Sequence, residues 1–133
     1  ITDAVNIKNG YVINIGVNYK ILTKPNYDQQ EVLLKSSNKI TEFFNTDKWQ
    51  INQPIMLSDL AYEISVVEGV ASVVNIDMVN KYKVSEGYSG NAYDIVGATK
   101  NNIVYPSLDP SIFELKYPLK DIIGSVEGTN TGV

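Results

Sequence analysis

The chain has 133 residues, enough for one domain with its own core, and its 44% hydrophobic and 20% charged content is that of a globular protein. Its net charge is −4 and every basic residue is Lys, so it lacks the basic stripe and Arg forks of a nucleic-acid binder, and no apolar run of about 18 residues is present to span a membrane. With no Cys and no His, disulfides, thiolate chemistry, most transition-metal sites and the common nucleophile–base pairs are excluded.

The chain opens at Ile1 rather than Met and runs directly into foldable sequence, which reads as a piece cut from a longer protein. Tyr11, Ile13, Ile15, Val17, Tyr19 and Ile21 then alternate with Asn14, Gly16, Asn18 and Lys20. That period of two predicts a strand with one apolar and one polar face. Asn9-Gly10 just before it suits a two-residue type I′ turn, so Val5 to Lys8 is expected to pair back as a hairpin.

Pro25 ends the strand, and the period changes. Asp28 with Glu31 three residues later reads as a capping box variant opening a helix. Leu33, Ser37, Ile40 and Phe44 fall on one helical face, with Val32, Ser36 and Phe43 beside them. The small Ser36 and Ser37 let this helix lie close to whatever it covers. A corner follows: Trp49 is expected to plug the end of the helix layer, and Pro54 to stiffen the entry to a second helix. Ser58 is expected as that helix's N-cap, with Asp59 at its positive end and Leu60, Ile64 and Val67 at helical spacing. Gly69 stands where a left-handed residue closes a helix. Val74, Ile76 and Met78 on one face, and Asn75 and Asp77 on the other, predict a second strand.

The order strand, helix, helix, strand predicts an α+β fold with a mainly antiparallel sheet and both helices on one face. The polar side chains Asn14, Asn18, Asn75 and Asp77 then look outward. This core spans residues 1–81, N-terminal hairpin included, and residues 82–133 form an irregular, β-containing extension packed on it. Pro106, Pro110 and Pro118 restrict the extension to edge strands such as Ile112 to Lys116. The final Gly-Ser-Val-Glu-Gly-Thr-Asn-Thr-Gly-Val reads as a frayed end.

Enzyme chemistry finds no support. No Gly-x-Ser-x-Gly elbow marks a nucleophile, Ser58 reads as a cap, and Gly87, Gly90 and Gly97 form no phosphate cradle. Asp77, Glu86, Asp94 and Asp109 match no calcium loop. No catalytic, metal-binding or cofactor-binding residue is expected. The chain is rich in Tyr, a residue suited to contacts between proteins. Tyr88, Tyr93, Tyr105, Phe113 and Tyr117 are therefore the candidate interface, and Tyr82 to Ile123 the main partner-facing segment. The other expectation for that segment is that it wraps its own sheet. A different function for the same Tyr- and Asn-rich stretch around Tyr88 to Tyr93 is a small ligand- or glycan-binding surface.

Four stretches in order resemble the baseplate J-like family of contractile phage tails. They are Pro25-x-Tyr27-Asp28, the pair Phe43-Phe44 before a loop, Gln53-Pro54 leading to Ser58-Asp59, and Gly69-Val70-x-x-Val73. The tail from Asn101 to Val126 more narrowly resembles the C-terminal end of the baseplate wedge protein of T4-type phages. The resemblance implies a virion structural protein of the tail baseplate, assembled in the host cytoplasm. It also implies that the protein dimerises and binds other wedge proteins, and that a larger N-terminal part precedes this chain.

Overall fold

The alternating stretch forms β1 (Val12–Thr23), the strand around which the rest is arranged. The computed structural model describes residues 11–45, 47, 49–107 and 110–127. The expected Val5–Lys8 arm and its Asn9-Gly10 turn lie outside the described residues. Ile13, Ile15, Val17, Tyr19 and Ile21 are buried, as their period of two predicts.

α1 (Gln29–Phe43) starts at Asp28, whose carboxylate accepts the Gln30 N–H at 3.1 Å. Glu31 turns away from the cap and pairs with Lys35 one turn on, at 3.4 Å. The buried stripe is Val32, Ser36, Ile40 and Phe44, rotated from the expected one so that Leu33 and Ser37 lie at its flank. Tyr19 accounts for the rotation. Its ring rises from β1 beside the helix, and its hydroxyl bonds the Leu33 carbonyl at 2.9 Å and Ser37 Oγ at 2.8 Å. Ser36 lies fully buried within that stripe.

Trp49 is buried against Phe43 and Phe44, with ring centroids 5.8 and 5.1 Å away. Pro54 is half-buried and leads into β2 (Ile55–Met56), which passes without a loop into α2 (Leu57–Ser65). Ser58 is therefore not the cap: the N-cap position falls on Met56, and Ser58 is exposed inside the first turn. A backbone partner does the capping, because the Leu57 N–H donates to the Asn102 carbonyl at 2.9 Å. Leu60 and Ile64 are fully buried beneath the helix. α2 ends at Val66, so Gly69 is not its C′ residue. It sits in the turn that follows, with φ +95° and the Val70 N–H bonded to the Val67 carbonyl at 3.1 Å.

β3 (Val70–Asn80) runs antiparallel to β1, from Thr23↔Val70 to Ile15↔Asn80. Two register shifts bulge β3 at Ala71 and Val74. The second corrects the expected face: Val74 is pushed out to 47% exposure, and Val73, Ile76 and Met78 stand opposite Ile21, Tyr19 and Val17 instead.

The extension follows as a 3₁₀ turn (Val84–Glu86), β4 (Thr99–Lys100), β5 (Ile103–Val104), β6 (Ile112–Glu114), α3 (Pro118–Asp121) and β7 (Ile122–Val126). β5 pairs antiparallel with both β2 and β4, making a small second sheet beside α2. β6 and β7 pair in parallel with the two halves of β1. Both take its free edge. Odd-numbered carbonyls of β1 bond this side, as in Ile112 N–H to Tyr11 at 3.1 Å and Glu127 N–H to Ile21 at 2.7 Å, whereas Asn14 faces β3 and accepts from Lys81 at 2.8 Å. The extension thus makes β1 a central strand. Gly124, Ser125 and Val126 are strand residues, not a frayed end, and residues 128–133 lie outside the described residues.

The architecture is α+β: a strand–helix–helix–strand core with both helices on one sheet face and a mainly antiparallel pattern, three of the five strand pairings among the described residues being antiparallel. One apolar cluster joins Tyr19, Val32, Ile40, Leu60 and Ile64 of the core to Ile95, Val104, Phe113, Leu115 and Ile122 of the extension.

Candidate interaction surface

At one end of β1 the polar face is covered. Asn14 is 1% exposed rather than outward-facing. Its side chain donates to Glu114 Oε1 at 2.7 Å and accepts the Ser89 N–H at 2.8 Å. Ser89 and Asn91 in turn bond the Val12 carbonyl. A buried amide without partners would cost about 1–3 kcal/mol, so this face closes only because the extension brings matching groups.

Next to Asn14, Gly16 leaves room for α3 to rest on the sheet: a Cβ there would stand 3.0 Å from the Asp121 carbonyl. Asp121 is 3% exposed. The Tyr88 hydroxyl donates to both its carboxylate oxygens, at 2.9 and 2.7 Å, and Lys81 Nζ lies 3.8 Å from Oδ1. Tyr117 meets Tyr88 edge to face at 5.5 Å, and Lys120 sits over both rings at 5.3 and 5.7 Å. Lys116 donates to the Gly87 carbonyl. Burial, and then the hydrogen bond and charge of Asp121, push the Tyr88 phenol up to about 12. Burial also raises Tyr19, against the lowering effect of Ser37, and raises Tyr93, helped by Asp94.

The proposed Tyr interface therefore divides. Tyr88 and Phe113 are 4% and 2% exposed and belong to the interior: Tyr88 bonds Asp121, which rests over Gly16 on the Asn14 face of β1, whereas Phe113 pairs with Ile13 and joins the apolar core on the other face. Tyr93 and Tyr117 are half-buried, Tyr93 leaning on Phe113 and donating to the Tyr105 carbonyl at 2.6 Å. Tyr105, at 45%, is the exposed member. A glycan surface on Tyr88 to Tyr93 loses its principal ring, whose hydroxyl is already engaged. The segment from Tyr82 to Ile123 wraps its own sheet, the second of the two expectations for it.

What stays open is the other half of the sheet's outer face. Asp77–Asn18–Ile123 and Asn75–Lys20–Ser125 run across it in register, with Ile123 60% exposed. Beside it, a groove of about 280 Å³ follows the outer edge of β3 and is lined by Leu57, Ser58, Ala61, Val73, Ile76 and Asn102. A second groove, of about 380 Å³, lies between the end of α1 and the β6–α3 connection, with Phe44 and Leu115 as apolar walls.

Asp77, Glu86 and Asp94 do not gather. Asp77 accepts from Asn75 at 3.0 Å and Asp94 accepts the Gly97 N–H at 3.0 Å, while Asp109 lies outside the described residues. Among the described residues no three metal-ligating side chains come together, and no helix is long and apolar enough to cross a membrane.

Reading the sequence missed Asn14 and Asp121 as the polar anchors of the extension. Asn14 carried no signal of its own, since it alternates with apolar residues just as the outward Asn18 and Lys20 do. Asp121, between Lys120 and Ile122, carried none. In comparisons with known proteins, no family model and no curated sequence matches the chain.

Proposed function

We propose that the chain is a structural module of a contractile-tail baseplate wedge, joining other wedge proteins and a second copy of itself in the virion tail. The observation that carries the reading is the contact between Tyr27 and Gly69. These residues belong to the first and last of the four stretches that resemble the baseplate J-like family, 42 positions apart in sequence. A Cβ on Gly69 would come within 2.9 Å of Tyr27 Cδ1 and 2.6 Å of Val32 Cγ2, so the two stretches meet at the seam between α1 and the start of β3. The remaining stretches fall at Phe43-Phe44, packed on Trp49, and at the β2–α2 junction. The resemblance is thus supported by one continuous strand–helix–helix–strand unit rather than by scattered matches.

In this reading the protein is not an enzyme, takes no cofactor, and contacts neither nucleic acid nor membrane. Its partners are the neighbouring wedge proteins, met in the host cytoplasm before the tail is complete. Sedimentation velocity of the chain, alone and mixed with purified wedge proteins of the same tail, tests it. The expected result is a faster-sedimenting hetero-complex. Unchanged sedimentation in every mixture, together with binding on a glycan array, would contradict it.

A further inference from the structure

The outer edge of β3 is the strongest unassigned feature. Among the described residues no strand pairs with it, although β3 runs for 11 residues. Natural edges are blunted by Lys, Pro, bulges or cover. Here Val70–Asn80 contains neither Lys nor Pro, and both bulges fall in its first half, at Ala71 and Val74. Asn75 to Asn80 run in regular register.

The hydrogen-bond phase of this stretch is set. The Lys81 N–H bonds Asn14, and the register pairs Asn75, Asp77 and Val79 with Lys20, Asn18 and Gly16. The odd-numbered residues therefore bond β1, and Ile76 and Met78 turn their N–H and C=O groups outward. Ile76 also borders the groove of about 280 Å³ along this edge, where Ser58 and Ala61 leave space on the α2 side.

We propose that this edge pairs with the same edge of a second copy of the chain, antiparallel about a two-fold axis at Ile76. That register makes Ile76 and its copy a doubly hydrogen-bonded pair, with both side chains entering the grooves beside α2. On the open face it sets each Asn75 opposite the copy's Asp77, so that an amide donor meets a carboxylate twice. Inside one chain the same two groups already bond at 3.0 Å. Centring on Asp77 would oppose two carboxylates. Centring on Met78 would draw in Asn80, whose side chain is engaged by the Asn91 carbonyl and the Tyr93 N–H at 3.4 and 2.7 Å. The complementarity of Asn75 with Asp77 is what selects a second copy over a foreign strand. The proposal names a surface for the self-association in the wedge reading, and it is argued from the edge geometry.

Sedimentation equilibrium of the full 133-residue chain by itself tests it. Asn75 and Asp77 are exposed, so substitutions there leave the fold intact, which circular dichroism checks. N75D opposes four carboxylates and is expected to weaken dimerisation about tenfold, and N75K to strengthen it by a similar factor. Hydrogen exchange at Ile76 and Met78 is expected to slow as concentration rises. A chain that stays monomeric, a dimer indifferent to both substitutions, or Ile76 protection independent of concentration would each overturn the pairing. None of these results bears on hetero-complex formation with wedge proteins.

Discussion

Tyr88 and Asp121, 33 positions apart, form a buried phenol–carboxylate pair with bonds of 2.9 and 2.7 Å, laid across Gly16 of the central strand. The pair joins the loop after β3 to the turn before β7. Through it the extension is fastened to the sheet from both ends, with Lys81 and Lys120 supplying positive charge around it.

Replacing Tyr88 with Phe removes the hydroxyl that donates to the buried Asp121 carboxylate at 2.9 and 2.7 Å. The expected loss is about 1–3 kcal/mol in urea unfolding at neutral pH. An unchanged midpoint would mean that Asp121 finds equivalent partners.

The same pair predicts an alkaline limb. The Tyr88 phenol is held near 12 in the folded chain against about 10 unfolded. Between those values the unfolded state has lost its proton and the native state keeps it, so stability falls as pH rises from about 10 to about 12. Below pH 10 both states are protonated and the pair adds no slope. Unfolding midpoints from pH 9 to 12 should fall more steeply for wild type than for Y88F. Parallel curves would contradict the assignment.

Gly69→Val places a β-branched residue at φ +95° and a Cβ within 2.6 Å of Val32. A loss above about 1 kcal/mol is expected from backbone strain alone. Chemical denaturation decides, and wild-type stability would show that the turn relaxes without cost.

Gly124→Ala tests a different constraint. Gly124 stands opposite Tyr19 in the parallel β1–β7 pairing, and a Cβ there would fall 2.3 Å from the Tyr19 ring. The ring is fixed by its bonds to Leu33 and Ser37, so it has little freedom to move. A cost of about 1–3 kcal/mol is expected, as for overpacked cores. If thermal unfolding is unaffected, Tyr19 swings aside and its bonds to α1 contribute little.

The parts of the fold legible in the sequence are those set by local pattern. The alternation from Tyr11 to Ile21, the Asp28 cap and the Leu60–Ile64 spacing each fix an element from neighbouring residues alone. What stayed illegible depends on partners distant in sequence. Ser58 lost the cap because Asn102, 45 positions on from Leu57, brings a carbonyl to the helix start. Val74 left the core through a bulge that periodicity does not encode. Tyr88 looked like a surface aromatic because nothing near it in sequence reveals that a polar strand face needs cover, and Phe113 because its partner Ile13 lies 100 positions earlier. Asn14 was expected to face outward with Asn18 and Lys20, and only the distant Glu114 and Ser89 distinguish it from them.

The chain after Lys81 is part of the fold and closes the free edge of β1. Hydrogen exchange with residue-level readout on the isolated chain tests it most directly. The amides of Ile112 and Glu127, which bond Tyr11 and Ile21, are expected to exchange as slowly as Lys81, which bonds Asn14 on the opposite edge of β1. Exchange of Ile112 and Glu127 at the rate of an unstructured peptide, with Lys81 still protected, would contradict the claim and return the extension to the role of a partner-dependent arm.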